Sequence, residues 1–198
     1  MPTWILAFAL AQASSSTWQE HNRRGEEEFK KGNMDASIRE FDRAIHLEPR
    51  LAPHHWQRGI SLYYAGRWED CRKQFESHRT VNPEDVENAV WHFLCAAKTQ
   101  GVSAAREKLI PIQADDRIPM KQVHDLFAGK AKVDDVIAAA GGGGLSGLFY
   151  GHLYVGLYLE ADGKRKESLE HIRKAAEDYP ASHYMWDVAQ VHWKRRGK

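Results

Sequence analysis

Apolar residues recur every three or four positions along most of the chain, which is the period of an α-helix with one buried face. The clearest stretches lie between residues 35 and 47 and between residues 86 and 97. Few runs of β-branched residues are bounded by turn signals, so strands are not expected. The pattern therefore predicts an all-α protein.

Glycine, phenylalanine and proline punctuate this pattern at a regular interval. Four pairs of residues are each separated by 34 positions: Gly25 and Gly59, Gly32 and Gly66, Phe41 and Phe75, Pro49 and Pro83. The same internal steps return late in the chain, at Gly156, Gly163, Ile172 and Pro180. A period of this length is typical of helix–turn–helix units that stack into a right-handed solenoid with a concave face.

The interval divides the chain into consecutive repeats within a single predicted domain that spans residues 14–198. We predict repeat 1 at 18–51, repeat 2 at 52–85, a degenerate repeat 3 at 86–111 and repeat 4 at 149–180. An irregular helical segment, 112–147, interrupts the repeats and ends in a glycine-rich stretch expected to form a flexible loop. A closing helix is predicted at 182–194, followed by a frayed basic tail.

Residues 1–13 differ from the rest of the chain. An apolar run from Trp4 to Ala11 precedes the small residues of Ala11-Gln12-Ala13 and then a polar stretch. This pattern predicts a secretory signal cleaved after Ala13, although no Lys or Arg precedes the apolar run. The alternative is an apolar first helix that docks on the repeats. The run is shorter than the roughly 20 residues that span a bilayer, so no stable membrane anchor is expected.

Charge and cysteine content add little to this picture. The 198 residues carry a formal net charge of +1, which does not indicate a nucleic-acid partner. The two cysteines, Cys71 and Cys95, are expected to be small buried hydrophobic residues. Export would nevertheless permit a disulfide between them.

The first helix of repeat 2 is unusually aromatic on the face expected to line the concave groove. We predict a peptide-binding groove formed by Trp56, Ile60, Tyr63, Tyr64, Phe29, Lys30, Leu94 and Lys98. Trp and Tyr are frequent energetic anchors of interfaces, and the two lysines at the edges favour a ligand with acidic flanks. The alternative is internal packing, with the irregular middle segment folded into the groove.

No residue pattern indicates catalysis, a cofactor or a metal. Eleven histidines are scattered without metal-ligand spacing. Gly142-x-Gly144-x-x-Gly147 matches a dinucleotide-binding pattern, but the preceding residues 136–140 predict a helix where that motif needs a strand. We therefore expect a protein that is not an enzyme and has no catalytic residues, no cofactor and no metal.

Three segments carry a resemblance to the tetratricopeptide repeat family: Trp56–Tyr64, Trp91–Cys95 and Tyr154–Glu160. Across residues 18–193 the chain resembles a group of small, uncharacterised members of that family. Its layout is also similar to that of the periplasmic new lipoprotein I-like adaptors, although this chain lacks their lipid-attachment cysteine.

The resemblance implies a scaffold for a protein or peptide partner, placed outside the cytoplasm if the signal is real and in the cytoplasm otherwise. Two alternatives stay open: a structural or assembly subunit whose groove is filled by its own chain, and a metal- or thiol-dependent enzyme.

Overall fold

The computed structural model describes residues 16–197, so the predicted signal segment lies outside the described residues. Within this part of the chain the fold is all-helical with no strand, which confirms the prediction of an all-α protein. Eleven α-helices follow one another: α1 (Trp18–Lys30), α2 (Met34–Leu47), α3 (Trp56–Tyr64), α4 (Trp68–His78), α5 (Val86–Gln100), α6 (Val102–Glu107), α7 (Met120–Phe127), α8 (Val133–Ala140), α9 (Gly144–Ala161), α10 (Arg165–Arg173) and α11 (Tyr184–Arg196).

Consecutive helices pack in pairs, and a glycine permits the close approach in three of them. A Cβ atom added to each glycine would overlap an apolar side chain that follows 16 residues later in the next helix. The pairs are Gly25 with Phe41 (2.5 Å), Gly59 with Phe75 (2.7 Å) and Gly156 with Ile172 (2.7 Å). The three positions are among those that the 34-residue interval singles out, so the interval reports a recurring helix–helix contact.

The turns inside these pairs also recur. Gly32, Gly66 and Gly163 each follow the first helix of a pair and have φ values of +85°, +77° and +80°. Only glycine adopts this left-handed region without a steric penalty, which explains its presence at the end of each helix. Pro49 begins a short 3₁₀ helix that ends at His54 and connects the first pair to the second.

The glycine-rich stretch is not the flexible loop that we expected. Residues 141–143 form one 3₁₀ turn, and α9 begins directly at Gly144. A Cβ on Gly151 would lie 2.8 Å from the Cβ of Ala140, so small residues let α8 and α9 pack closely here. Within the stretch itself, Gly147 lies close to the backbone of Ala140, whereas Gly141, Gly142 and Gly144 have open space where a Cβ would stand.

The helices of the irregular middle segment extend the helix stack. Helix α7 packs on α5 and α9, and the ring of Phe127 lies 5.1 Å from that of Phe93 and 5.3 Å from that of Tyr158. The alternative in which this segment fills the groove does not account for the cover over Phe29 and Trp56, which comes from Tyr184 of α11.

A disulfide joins Cys71 of α4 to Cys95 of α5, which corrects the expectation of two free thiols. Their Cα atoms are 6.0 Å apart because the two helices pack side by side, and this separation lies within the range that disulfides span. Cys71 follows Gly59 by 12 residues. Ser37 and Ser168 hold the same place after Gly25 and Gly156 and donate to those glycine carbonyls at 2.7 Å.

Candidate functional site

Helix α11 covers the face on which the peptide groove was predicted. Tyr184 at its start stacks on Phe29 with ring centroids 5.1 Å apart and meets the edge of Trp56 at 5.3 Å. Four further predicted groove residues are at most 7% exposed: Ile60, Tyr63, Tyr64 and Leu94. A peptide would reach these side chains only if α11 moved away.

A chain of polar contacts holds the far end of α11 in place. The Tyr64 hydroxyl lies 2.8 Å from Nδ1 of His192, and Nε2 of His192 lies 3.0 Å from Oε2 of Glu160. Burial would raise the pKa of the Glu160 carboxyl, but contacts with His192, Lys98 and Arg196 outweigh it and lower that pKa to about 2. The ionised Glu160 therefore anchors α11 to α9.

The two predicted edge lysines are neutralised within the molecule. Lys30 lies 3.1 Å from Asp187 of α11, and Lys98 lies 3.5 Å from Glu160. The basic tail is likewise engaged, because Arg195 donates to the carbonyls of Gly32 and Tyr64 and α11 extends to Arg196. The expected frayed tail and lysine-lined rim are both corrected by these contacts.

The start of α11 leaves part of the predicted groove face unfilled, and a cavity of about 330 Å³ remains there. Its walls come from α3, α4, α5, α9, the loop before α7 and the start of α11. The lining residues are Trp56, Phe75, His78, Asn82, Asp85, Glu87, Asn88, Trp91, Arg117, Tyr150, His183, Tyr184 and Met185. We call this space the aromatic–acidic cavity, because rings and carboxylates dominate its lining.

Two buried polar atoms on α5 give this cavity its chemical character. Oδ1 of Asn88 and Nε1 of Trp91 have no hydrogen-bond partner among residues 16–197, although the two residues are only 3% and 1% exposed. They are three positions apart, so they lie on one face of the helix. Unpaired buried polar atoms are costly, and beside a cavity a water molecule or a ligand can supply the missing partners.

Carboxylates concentrate where α5 begins. Asp85 accepts from the backbone N–H of Glu87 at 3.1 Å and so caps the helix, while Asp115 accepts from the N–H of Val86 at 3.1 Å. One guanidinium serves all three acids: Arg117 contacts Asp85 at 2.7 Å, Glu87 at 2.8 Å and Asp115 at 2.6 Å. The lining therefore carries two carboxylates, those of Asp85 and Glu87, against one guanidinium, and Asp115 contacts that guanidinium from outside the lining.

Glu87 is the most perturbed of these acids. Burial raises the pKa of its carboxyl to about 7, against the opposing effects of a hydrogen bond from Tyr154 and the charge of Arg117, and Asp85 adds to the increase. Burial and the negative charge of Glu87 together raise the pKa of Tyr150, which lines the same cavity. Glu87 is thus poised to change charge near neutral pH when a charged ligand binds.

Sequence reasoning missed most of this cavity. Asp85, Glu87, Asn88 and Arg117 were not among the predicted site residues. The available signal was the pair Glu87 and Trp91, four residues apart on an otherwise apolar helix, with a polar Asn88 beside them. Arg117 arrives from a loop 30 residues away, and no local pattern indicates that contact.

Side chains that could bind a metal ion are dispersed in this part of the chain. Residues 16–197 contain no cluster of three or more His, Cys, Asp or Glu side chains arranged to hold a metal ion. His152 and His171 approach within 2.9 Å at Nδ1, and burial lowers the pKa of both.

None of the helices described combines the length and apolar character needed to cross a bilayer. No protein-family model matches the chain.

Proposed function

We propose that this chain is a non-enzymatic binding module of tetratricopeptide-like helical repeats, which takes a short peptide segment of a partner protein in the aromatic–acidic cavity. The observation that carries the proposal is the unpaired couple of Asn88 Oδ1 and Trp91 Nε1 at that cavity. One is an acceptor and the other a donor, as the N–H and C=O groups of a peptide require.

The dimensions and lining of the cavity suit such a ligand. A volume of about 330 Å³ is at the lower end of the range for ligand pockets, and holds a few residues of a peptide at most. Rings of Trp56, Phe75, Tyr150 and Tyr184 supply apolar contact area. Aromatic side chains of this kind dominate binding energy at peptide and protein interfaces.

Recurring contacts support the repeat part of the proposal. The close approach of a glycine to an apolar side chain recurs in the pairs α1–α2, α3–α4 and α9–α10. In two of these pairs a serine also bonds the glycine carbonyl from 12 residues away. A shared packing solution in units of one length is what a stacked repeat protein requires.

Export belongs to the proposal as well. The disulfide between Cys71 and Cys95 supports it, because disulfides persist mainly in oxidising compartments. The apolar run and the Ala11-Gln12-Ala13 sequence support it independently. N-terminal sequencing of natively expressed protein should begin near Ser14, and recovery of an intact Met1 start would refute export.

A second candidate function is a structural or assembly subunit whose concave face serves only its own fold. The position of α11 favours it, since this helix occupies most of the face that a peptide would otherwise use. The two candidates differ in one respect: only the binding module needs the cavity to accept a ligand.

Selection from a random peptide library separates these candidates. A phage-displayed library panned against the purified protein should enrich peptides that bind with micromolar affinity in calorimetry. Trp91→Phe retains the ring but removes the indole N–H, and Asn88→Leu retains the volume but removes the amide. Each should weaken binding at least tenfold, since a lost partner for a buried polar group costs about 1–3 kcal/mol.

Stability provides the control for these variants. Asn88→Leu should leave the melting temperature equal to or above that of the parent, because it removes an unpaired buried oxygen. Glu107→Gln, at an exposed position on α6, should change neither binding nor melting. Failure to enrich any peptide, or unchanged affinity in both cavity variants, would refute binding at this site.

A further inference from the structure

We propose that the aromatic–acidic cavity recognises the ammonium group of a lysine side chain carried by the partner peptide. This inference rests on the proposed function and specifies its ligand. It reverses the charge preference that the sequence suggests, because Lys30 and Lys98 are paired with Asp187 and Glu160 and do not form a basic rim.

The balance of charge at the cavity wall is the first argument. Asp85 and Glu87 of the cavity lining share the single guanidinium of Arg117 with Asp115, which lies outside the lining, so ionisation of all three leaves two negative charges without a cation. A positively charged ligand group corrects this imbalance, whereas an anionic one increases it. The electrostatic effect is strong because the side chains of Asp85 and Glu87 are only 16% and 15% exposed.

The unpaired oxygen of Asn88 is the second and independent argument. Its residue is 3% exposed and lines the cavity, and its Oδ1 accepts no hydrogen bond from residues 16–197. An ammonium group offers three donors and no acceptor, so it can satisfy Asn88 and a carboxylate together. The Nε1 donor of Trp91 remains for a carbonyl of the peptide backbone.

The aromatic walls are the third argument. The four-carbon stem of a lysine packs against apolar surface while its charged end reaches polar groups. Faces of Trp and Tyr also attract cations through their ring quadrupoles. Trp56, Tyr150 and Tyr184 line the same cavity as the acids. The cavity thus offers apolar surface for the stem of a lysine, ring faces for its charge and carboxylates for its ammonium group.

Ionisation of Glu87 couples recognition to pH. The groups that face it are Asp85 on the helix start, Arg117 and Asp115 on the loop before α7, and Tyr154 and Tyr150 on α9. His78 and His183 stand elsewhere around the cavity. Because burial raises the pKa of Glu87, an ammonium ligand should favour its ionised form, so that binding releases a proton and strengthens from pH 6 to pH 8.

Three matched peptides test the inference on the full chain. The probes are acetyl-Gly-Ala-X-Ala-Gly-amide, with lysine, norleucine or glutamate as the central residue X. Binding is followed at the indole N–H resonance of Trp91 in ¹⁵N-edited NMR spectra, assigned with Trp91→Phe. The lysine peptide should bind at least tenfold more tightly than the norleucine peptide, and the glutamate peptide should bind most weakly.

A charge variant sharpens the comparison. Glu87→Gln preserves shape and removes the negative charge, so it should reduce the preference for lysine over norleucine about tenfold and remove the pH dependence. Glu107→Gln on the exposed surface of α6 should alter neither. Because the comparison among peptides uses the parent protein, it holds even if the variant is unstable.

The possible failures are distinguishable. Equal binding of the three peptides, or tighter binding of glutamate or norleucine, would overturn lysine recognition and leave peptide binding intact. No response of Trp91 to any peptide would overturn both proposals. A protein that sediments as a dimer and ignores free peptides would assign the cavity to the basic end of a second copy, which also overturns recognition of a partner's lysine.

Discussion

Replacing Gly59 by alanine tests whether the recurring glycine contact sets the helix spacing. The new Cβ would lie 2.7 Å from two ring carbons of Phe75 and 3.2 Å from Cγ of Gln74. Carbon atoms prefer separations of about 3.5–4.0 Å, so the ring would have to move by about 1 Å. Phe75 is 1% exposed and stacks on Trp91 with centroids 6.3 Å apart, so a shift of its ring disturbs Trp91 or enters the aromatic–acidic cavity that Phe75 also lines.

Two effects of opposite sign decide the magnitude. Alanine favours a helix interior over glycine by about 1 kcal/mol. Overpacking of a rigid core costs about 1–3 kcal/mol, and the short contacts place this site in the upper part of that range. We expect a net loss of about 1–2 kcal/mol in the free energy of unfolding, or roughly 2–8 °C in melting temperature.

Gly141 offers a matched control. Its φ and ψ of −57° and −33° are helical, and an added Cβ would meet no atom within 4 Å. Gly141→Ala should therefore stabilise the protein by about 0.4–1 kcal/mol through the unfolded state. Urea unfolding of both variants gives the comparison, and Phe75→Leu should partly rescue Gly59→Ala. If the Gly59→Ala protein were as stable as the Gly141→Ala protein, the close contact with Phe75 would not be the reason why residue 59 is glycine.

Two further predictions concern α11 and the cavity. Tyr64→Phe removes the hydroxyl that lies 2.8 Å from His192, and it should lower the free energy of unfolding by about 1–3 kcal/mol in urea melts; an unchanged midpoint would contradict the anchoring role. Glu87 has its pKa raised from 4.5 to about 7, so the folded state binds its proton more tightly. That stabilisation is complete below pH 4.5 and disappears as pH rises through 7. Unfolding free energies between pH 4.5 and 8 should therefore decline less steeply in Glu87→Gln than in the parent, and parallel curves would contradict the raised pKa.

Local signals were sufficient for the helices and their contacts within a pair. Glycine follows the end of a helix at Gly32, after α1, and at Gly101, after α5. The interval of 34 residues also located Gly25, Gly59 and Gly156, whose side-chain-free surfaces accept Phe41, Phe75 and Ile172. These features depend on neighbours at most 16 residues apart, which a sequence pattern can report.

The sequence pattern could not predict contacts between distant parts of the chain. The sequence indicated that something would cover an aromatic face, but not that α11 would do so, because Tyr64 and His192 are separated by 128 positions. The charge of Arg117 at the start of α5 likewise depends on the path of a loop. The Cys71–Cys95 bond depends on the spacing of two helices, for which the repeat pattern gives no distance.

The position of α11 determines which ligand chemistry remains available on the concave face. It contacts Tyr64 through His192, and its Asp187 pairs with Lys30. In the function that we propose, the aromatic groove with basic edges is thereby reduced to a cavity whose lining carries two carboxylates and one guanidinium. Covering the groove then does not abolish binding. It moves the proposed binding surface to the start of α5, where the unpaired Asn88 and Trp91 lie, and it reverses the charge that this surface would select.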